Sequence, residues 1–127
     1  MISFALVALV AAAHILFMVM EMFFWTRPKG TKGLTVSGFT LQKAQDTADL
    51  AANQGLYNGF LAAGLIWGLV QAEPGFAFQI KVFFLLCVIA AGVYGAATLH
   101  RPKILYFQAL PGVLALIAVG RMGVSAH

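Results

Sequence analysis

Charged residues are scarce in this sequence. Only 9% of its 127 residues are Asp, Glu, Lys or Arg, and 61% are hydrophobic, whereas a soluble domain carries about 25% charged residues. So few charges cannot cover the surface of a globule in water, so the solvent of this chain must be lipid. The length allows one compact domain, and we predict a single integral membrane domain over residues 1–127.

Cysteine is nearly absent as well. Cys87 is the one cysteine and it lies inside an apolar run, which excludes an intrachain disulfide and a cysteine metal cluster. The net charge is +4, but the basic residues stand between apolar runs and do not alternate with aromatic ones. Membrane topology therefore explains them better than nucleic-acid binding does.

Four apolar segments dominate what is present. Each is long enough for the ~20 residues that a helix needs to cross a bilayer. No basic region precedes the first segment and it continues to Trp25, so we expect a retained helix and not a cleaved signal. The fold class predicted is an all-α membrane protein, a bundle of four transmembrane helices at residues 2–25, 41–71, 76–99 and 104–120.

The basic residues also predict an orientation. Six of them lie in the connections 26–45 and 100–103, and two, Lys81 and Arg121, lie on the opposite side. Lys and Arg are concentrated in cytoplasmic loops. We therefore expect both connections in the cytoplasm and both termini outside, in a bacterial inner (plasma) membrane.

The second helix carries an unusual set of polar residues into its apolar run: Asn53, Gln54, Tyr57 and Asn58. At 100° per residue they are concentrated on one half of the helix. Such groups are costly in hydrocarbon unless they face protein, water or a ligand. Two small-residue patterns, Gly55-x-x-x-Gly59 and Gly64-x-x-x-Gly68, allow close approach of another helix and are candidate faces for a homo-oligomer.

The first helix adds His14 and Glu21, which are seven residues apart and therefore on one helical face. His14 is read either as a packed core histidine or as a site residue. Glu21 either reaches the membrane interface or serves a site, and we favour the site. With Tyr94 and Gln108 from the third and fourth helices, these residues predict a polar pocket open to the cytoplasmic side. Its catalytic candidates are Glu21 and His14, and its ligand-binding candidates are Asn53, Gln54, Tyr57, Asn58, Tyr94 and Gln108.

Three segments resemble a known family: Glu21-Met-Phe-Phe-Trp25, Ala-Ala-Asn53-Gln-Gly-Leu-Tyr-Asn-Gly-Phe-Leu-Ala-Ala-Gly64 and Gly92-Val-Tyr-Gly-Ala-Ala97. They are similar to small bacterial and fungal integral membrane proteins grouped as domain of unknown function 1304. The resemblance covers essentially the whole chain. It implies four membrane helices and no established activity.

Several functions stay open. A membrane enzyme that isomerises or hydrates a small apolar or amphipathic molecule would use Glu21 as general acid or base, with Asn53, Asn58 and Tyr57 orienting an oxygen. A proton-coupled exporter would exchange protons for a cation at Glu21. A haem or metal is disfavoured because His14 and Glu21 cannot both ligate one metal at seven-residue spacing. A purely structural or partner-binding role would leave the polar groups as interhelical contacts.

Overall fold

The computed structural model describes the backbone of residues 1–125 and the side chains of residues 1–123, and it is dominated by helices. Two π-helical turns, Met20–Phe24 and Leu105–Ala109, adjoin the α-helices. In chain order the elements are α1 (Ile2–Val19), a first π-turn (Met20–Phe24), β1 (Pro28–Lys29), β2 (Leu34–Thr35), α2 (Leu41–Asp46), α3 (Ala48–Val70), α4 (Pro74–Thr98), a second π-turn (Leu105–Ala109) and α5 (Leu110–Ser125).

Within the described residues, three helical segments are long and apolar enough to cross a membrane: Ile2–Phe24, Pro74–Thr98 and Leu105–Gly123. They fit an all-α integral membrane protein, as the composition predicts. The predicted number of four spanning helices is not confirmed. With 23 residues α3 has the length that a span requires, but polar residues such as Asn53 and Asn58 reduce its hydropathy, and it is not among the three.

The predicted second helix, 41–71, is two helices in the structure. The hydroxyl of Thr40 accepts a hydrogen bond from the backbone N–H of Lys43 and caps the start of α2. Thr47 separates α2 from α3 and donates its hydroxyl to the carbonyl of Lys43 at 2.8 Å. A hydroxyl that bonds back to the preceding turn favours a bend or a break in a helix.

The third helix begins two residues earlier than predicted, at Pro74. Proline suits the first position of a helix because the N–H it lacks has no partner there. The carboxylate of Glu73 accepts hydrogen bonds from the N–H groups of Gly75 at 2.8 Å and Phe76 at 2.5 Å. Pro74 therefore starts α4, and residues 71–73 lie between it and Val70, where the preceding helix α3 ends.

The connection after the first π-turn contains a short antiparallel hairpin. The sequence predicts no strands in this connection. Pro28 pairs with Thr35 and Lys29 pairs with Leu34. The turn between the strands contains Gly30 at φ 68° and Gly33 at φ 70°, a backbone conformation that glycine adopts without steric cost. The hairpin thus orders the longest connection of the chain.

The residues cluster into two compact units. The first contains Met1–Ala12 and the described residues from Leu61 onward, and the second is Ala13–Phe60. The first unit has a fully apolar core: Val7, Val10, Ala11, Leu65, Leu85, Val88, Ala115 and Val119. The second unit contains most of the candidate site residues. That the whole chain acts as one domain stays a prediction.

Candidate functional site

A carboxylate and an amide from two different helices meet in the second unit. The side-chain N–H of Asn58 (Nδ2), on α3, donates a hydrogen bond of 2.7 Å to Oε2 of Glu21, in the first π-turn. Asn58 is buried, with 4% of its surface exposed, and Glu21 is partly buried. The sequence placed both residues in the candidate site, and the structure brings them into direct contact.

Glycine on α3 permits this contact. A Cβ atom at Gly55 would lie 2.8 Å from Cγ of Met22, 3.0 Å from the carbonyl oxygen of Met18 and 3.1 Å from Cβ of Glu21. A Cβ atom at Gly59 would lie 2.7 Å from the sulfur of Met18. The Gly55-x-x-x-Gly59 face is therefore the surface on which the end of α1 and the first π-turn pack, because small residues let two helices approach closely.

The local backbone around Glu21 departs from α-helical geometry. Residues Met20–Phe24 form a π-helical turn, a rare feature that is frequent at functional sites. The periodicity of 3.6 residues that relates His14 to Glu21 therefore does not extend unchanged through this turn. Nothing in the apolar and acidic sequence of this segment predicts the π-turn.

His14 is almost completely buried, with 1% of its surface exposed. Its ring contacts the ring of Phe17 edge-on, with the centroids 5.3 Å apart. These surroundings favour the packed-histidine alternative. The proposed catalytic role of His14 stays a prediction.

The other polar candidates of α3 are exposed, in contrast to Asn58. Asn53 and Gln54 are exposed. Tyr57 is 51% exposed, and its ring contacts Phe60 of the same helix. As far as residues 13–60 show, the contact between Glu21 and Asn58 is the part of the predicted site that the structure assembles.

The last two candidates, Tyr94 and Gln108, belong to the first unit. Tyr94 is on α4 and is 73% exposed. Gln108 is partly buried in the second π-turn. There the backbone of Ala109 approaches Gly92 so closely that a Cβ atom at Gly92 would lie 2.8 Å from the Ala109 nitrogen.

Concave surfaces occur elsewhere on the molecule. One shallow cleft lies on the hairpin and includes Lys29, Lys32 and Thr35. A second lies on the first unit and includes Val93 and His100. Neither includes Glu21 or Asn58, so the predicted pocket stays a prediction. Among residues 1–125, no cluster of His, Cys, Asp and Glu could hold a metal ion.

Aromatic and hydroxyl side chains link the hairpin to α2 and the first π-turn. Nε1–H of Trp25 donates to the hydroxyl of Thr47 at 3.0 Å, and its ring contacts the ring of Phe39 edge-on at 5.9 Å. From the sequence, Trp25 marks the end of the first apolar segment and gives no sign of these contacts. A pattern of aromatic and hydroxyl residues spaced along a loop was the available signal for this cluster.

Residues 8–120 match the model of a family described as "Protein of unknown function (DUF1304)". The chain belongs to this family. The matched range includes Glu21, Asn58, the hairpin and both π-turns, and the resemblance predicted from the sequence is confirmed. No curated protein and no solved structure matches the chain. The family description states no activity, so function has to be argued from the residues.

Proposed function

We propose that this protein binds a small apolar or amphipathic molecule at Glu21 inside the membrane, with Asn58 holding the carboxylate in place. The observation that carries the proposal is the 2.7 Å hydrogen bond between Asn58 Nδ2 and Glu21 Oε2. Ionisable residues inside membrane spans are rare and mark functional sites by default. Glu21 lies within the candidate span Ile2–Phe24.

The chemistry of the pair suits binding and proton transfer. The amide of Asn58 donates one hydrogen bond, and a carboxyl group has about four lone-pair positions. Glu21 therefore keeps positions with which to accept a hydrogen bond from a ligand hydroxyl or to exchange a proton. In an isomerisation or hydration, Glu21 would serve as general acid or base, and Asn58 would position it without reacting.

The proposal includes a location for the site. We place the chain in a bacterial inner membrane with both termini outside and the connections 26–45 and 100–103 in the cytoplasm, since the basic residues are concentrated there. Glu21 is three residues before Phe24, the last residue of this candidate span. The polar pocket would then open toward the cytoplasm, so that ligand and protons reach Glu21 from that side.

The test is native mass spectrometry of the gently purified protein and of Glu21→Gln. Glutamine keeps a carbonyl oxygen that can accept the Asn58 hydrogen bond, but it has no charge and no exchangeable acidic proton. We expect wild type to retain a discrete small molecule and Glu21→Gln to lose it with unchanged helicity. The matched control is Asp49→Asn, which makes the same change at an exposed carboxylate of α3 and should keep the molecule.

Other outcomes point to other functions. A molecule that Glu21→Gln binds as well as wild type does would refute a role for the carboxylate. Proton release on adding a cationic compound, lost in Glu21→Gln, would favour the proton-coupled exporter. The observed contact is itself what a structural role requires. If no variant holds a ligand, and Asn58→Leu changes only stability, the pair is an interhelical contact.

A further inference from the structure

The positive charge of the chain is concentrated in one segment. Residues 26–45 contain Arg27, Lys29, Lys32 and Lys43 and no Asp or Glu. The remaining four basic residues are balanced by the four acidic residues of the chain, so this segment accounts for the whole net charge of +4. It begins two residues after Phe24, where the first candidate span ends.

This basic segment is folded. Besides the two-stranded pairing, the N–H of Val36 donates to the carbonyl of Arg27 at 2.8 Å, and the N–H of Thr35 donates to the carbonyl of Phe39 at 2.9 Å. The hydroxyls of Thr35 and Ser37 are hydrogen-bonded to each other at 2.5 Å, and both residues are buried. The basic side chains are therefore presented by a defined backbone.

Two of the four cations pack on aromatic rings of the same unit. The guanidinium carbon of Arg27 lies 4.6 Å from the ring centre of Phe24, and Nζ of Lys43 lies 4.5 Å from that of Phe39. Both distances fit cation–π contacts. The other two cations, Lys29 and Lys32, are exposed.

Lys29 ends the first strand of the hairpin, Lys32 lies in the turn that follows it, and both residues line one shallow cleft. The hydroxyl residues Thr31 and Thr35 and the glycines Gly30 and Gly38 also line it. Lysine ammonium groups bind phosphate oxygens as point charges. The cleft thus combines two exposed cations with hydroxyl residues and glycines, and Leu34 and Val36 complete its lining.

We infer that this basic hairpin, residues 27–39, docks on the anionic headgroups of the surrounding bilayer and takes a headgroup phosphate between Lys29 and Lys32. Clusters of four or more basic residues directly beside a membrane helix attract anionic lipids. The hairpin supplies three of them, Arg27, Lys29 and Lys32, and the neighbouring helix α2 supplies the fourth, Lys43. The position after the first candidate span favours a lipid over a soluble acidic partner. This inference does not depend on the ligand proposed for Glu21.

The test measures lipid binding by the full chain in a neutral detergent. Phosphatidylglycerol or phosphatidylcholine is titrated in, and bound lipids are counted by native mass spectrometry. We expect wild type to prefer phosphatidylglycerol. Since each lysine near an anionic surface contributes about fivefold in affinity, Lys29→Gln with Lys32→Gln should weaken phosphatidylglycerol binding about 25-fold. Added salt should reduce the preference.

Two further double variants distinguish lipid binding by the hairpin from a general effect of the net charge. Lys81→Gln with Lys103→Gln removes the same charge outside the hairpin and should leave the preference nearly unchanged. Lys29→Arg with Lys32→Arg keeps both charges and should keep the binding. Circular dichroism checks that each variant retains its helices.

Three results would overturn the inference. Equal binding of the two lipids by wild type would show that the hairpin does not recognise anionic headgroups. An equal loss in the Lys81/Lys103 pair would show that only the net charge matters. Displacement of phosphatidylglycerol by an equal concentration of free glycerol phosphate would identify a soluble phosphate ester, and not the bilayer, as the partner.

Discussion

Replacing Gly55 with alanine perturbs the contact between the end of α1 and α3 at a single point. The new Cβ atom would lie 3.0 Å from the carbonyl oxygen of Met18 and 3.1 Å from Cβ of Glu21, and ordinary contacts begin at 3.4 Å. Neither atom can rotate away, because one belongs to the backbone and the other is fixed to it. The two helices therefore have to separate by about 0.4 Å.

Gly59→Ala is the matched control. It makes the same substitution one helical turn later on α3, where the close neighbour is the sulfur of Met18, at 2.7 Å. A methionine thioether moves at little cost because the side chain has three rotatable bonds. Both variants gain the same helix propensity, about 1 kcal/mol for Gly→Ala, so this gain cancels when they are compared.

We expect Gly55→Ala to be less stable than Gly59→Ala by about 1–3 kcal/mol, the usual cost of overpacking. The hydrogen bond between Asn58 and Glu21, 2.7 Å long, should lengthen to about 3.1 Å, near the limit for N–H···O bonds. Unfolding in a mixed-detergent titration, followed by circular dichroism, measures the difference. Equal stabilities of the two variants would refute the close approach of α1 at Gly55.

Two further predictions concern the first unit. Gly92→Ala places a Cβ atom 2.8 Å from the backbone nitrogen of Ala109, whereas Gly95→Ala meets nothing nearer than 3.8 Å. Gly92→Ala should therefore melt at a lower temperature than Gly95→Ala, by the equivalent of about 1–3 kcal/mol, and equal melting would contradict the contact with the second π-turn. Glu73→Ala removes the carboxylate that caps α4 and should cost about 0.5–2 kcal/mol. Glu73→Gln, which keeps an acceptor, should cost less in the same thermal melt, and a larger loss for Glu73→Gln would argue against capping.

Much of the fold could be predicted from composition, because long apolar runs have few alternatives in a chain with so little charge. The segments 2–25 and 76–99 correspond closely to α1 with its π-turn and to α4. The break at Thr47 was missed, since it depends on a hydroxyl that bonds back to Lys43 and not on a proline or glycine. The hairpin was missed because each of its strands has only two residues, too few to show an alternation of side chains.

Only part of the candidate site could be predicted from the sequence: the contact between Glu21 and Asn58, but not the exposure of the other polar residues of α3. A carboxylate and an amide inside long apolar runs are conspicuous in any sequence, and Glu21 and Asn58 do meet. Helical periodicity grouped Asn53, Gln54 and Tyr57 with them, but one half of a helix is wide enough to include both a packed and an exposed face. Periodicity gives the angle of a residue about its own helix and cannot tell which neighbour covers it.

The two Gly-x-x-x-Gly patterns also do not tell which neighbour covers them. From the sequence, both were candidate faces for a second copy of the chain. In the structure, Gly55 and Gly59 receive side chains of α1 and its π-turn, while Gly64 lies against Phe84 and Gly68 against Lys81. A second copy on these faces would have to displace contacts made within each unit. The homo-oligomer stays a prediction. To form through these faces, it would have to gain more free energy than the loss of the contacts within each unit costs.

Glu21→Gln and Gly55→Ala together distinguish the effect of the Glu21 carboxyl group from the effect of its position relative to Asn58. Glu21→Gln removes the acidic proton and the charge but preserves an acceptor for Asn58, so the spacing of the helices is kept. Gly55→Ala keeps the carboxylate but moves it relative to Asn58. A ligand lost only in Glu21→Gln would be recognised by the carboxyl group itself. A ligand lost in both would require Asn58 to hold that group in place, which is what a positioned acid or base needs and a simple interhelical contact does not.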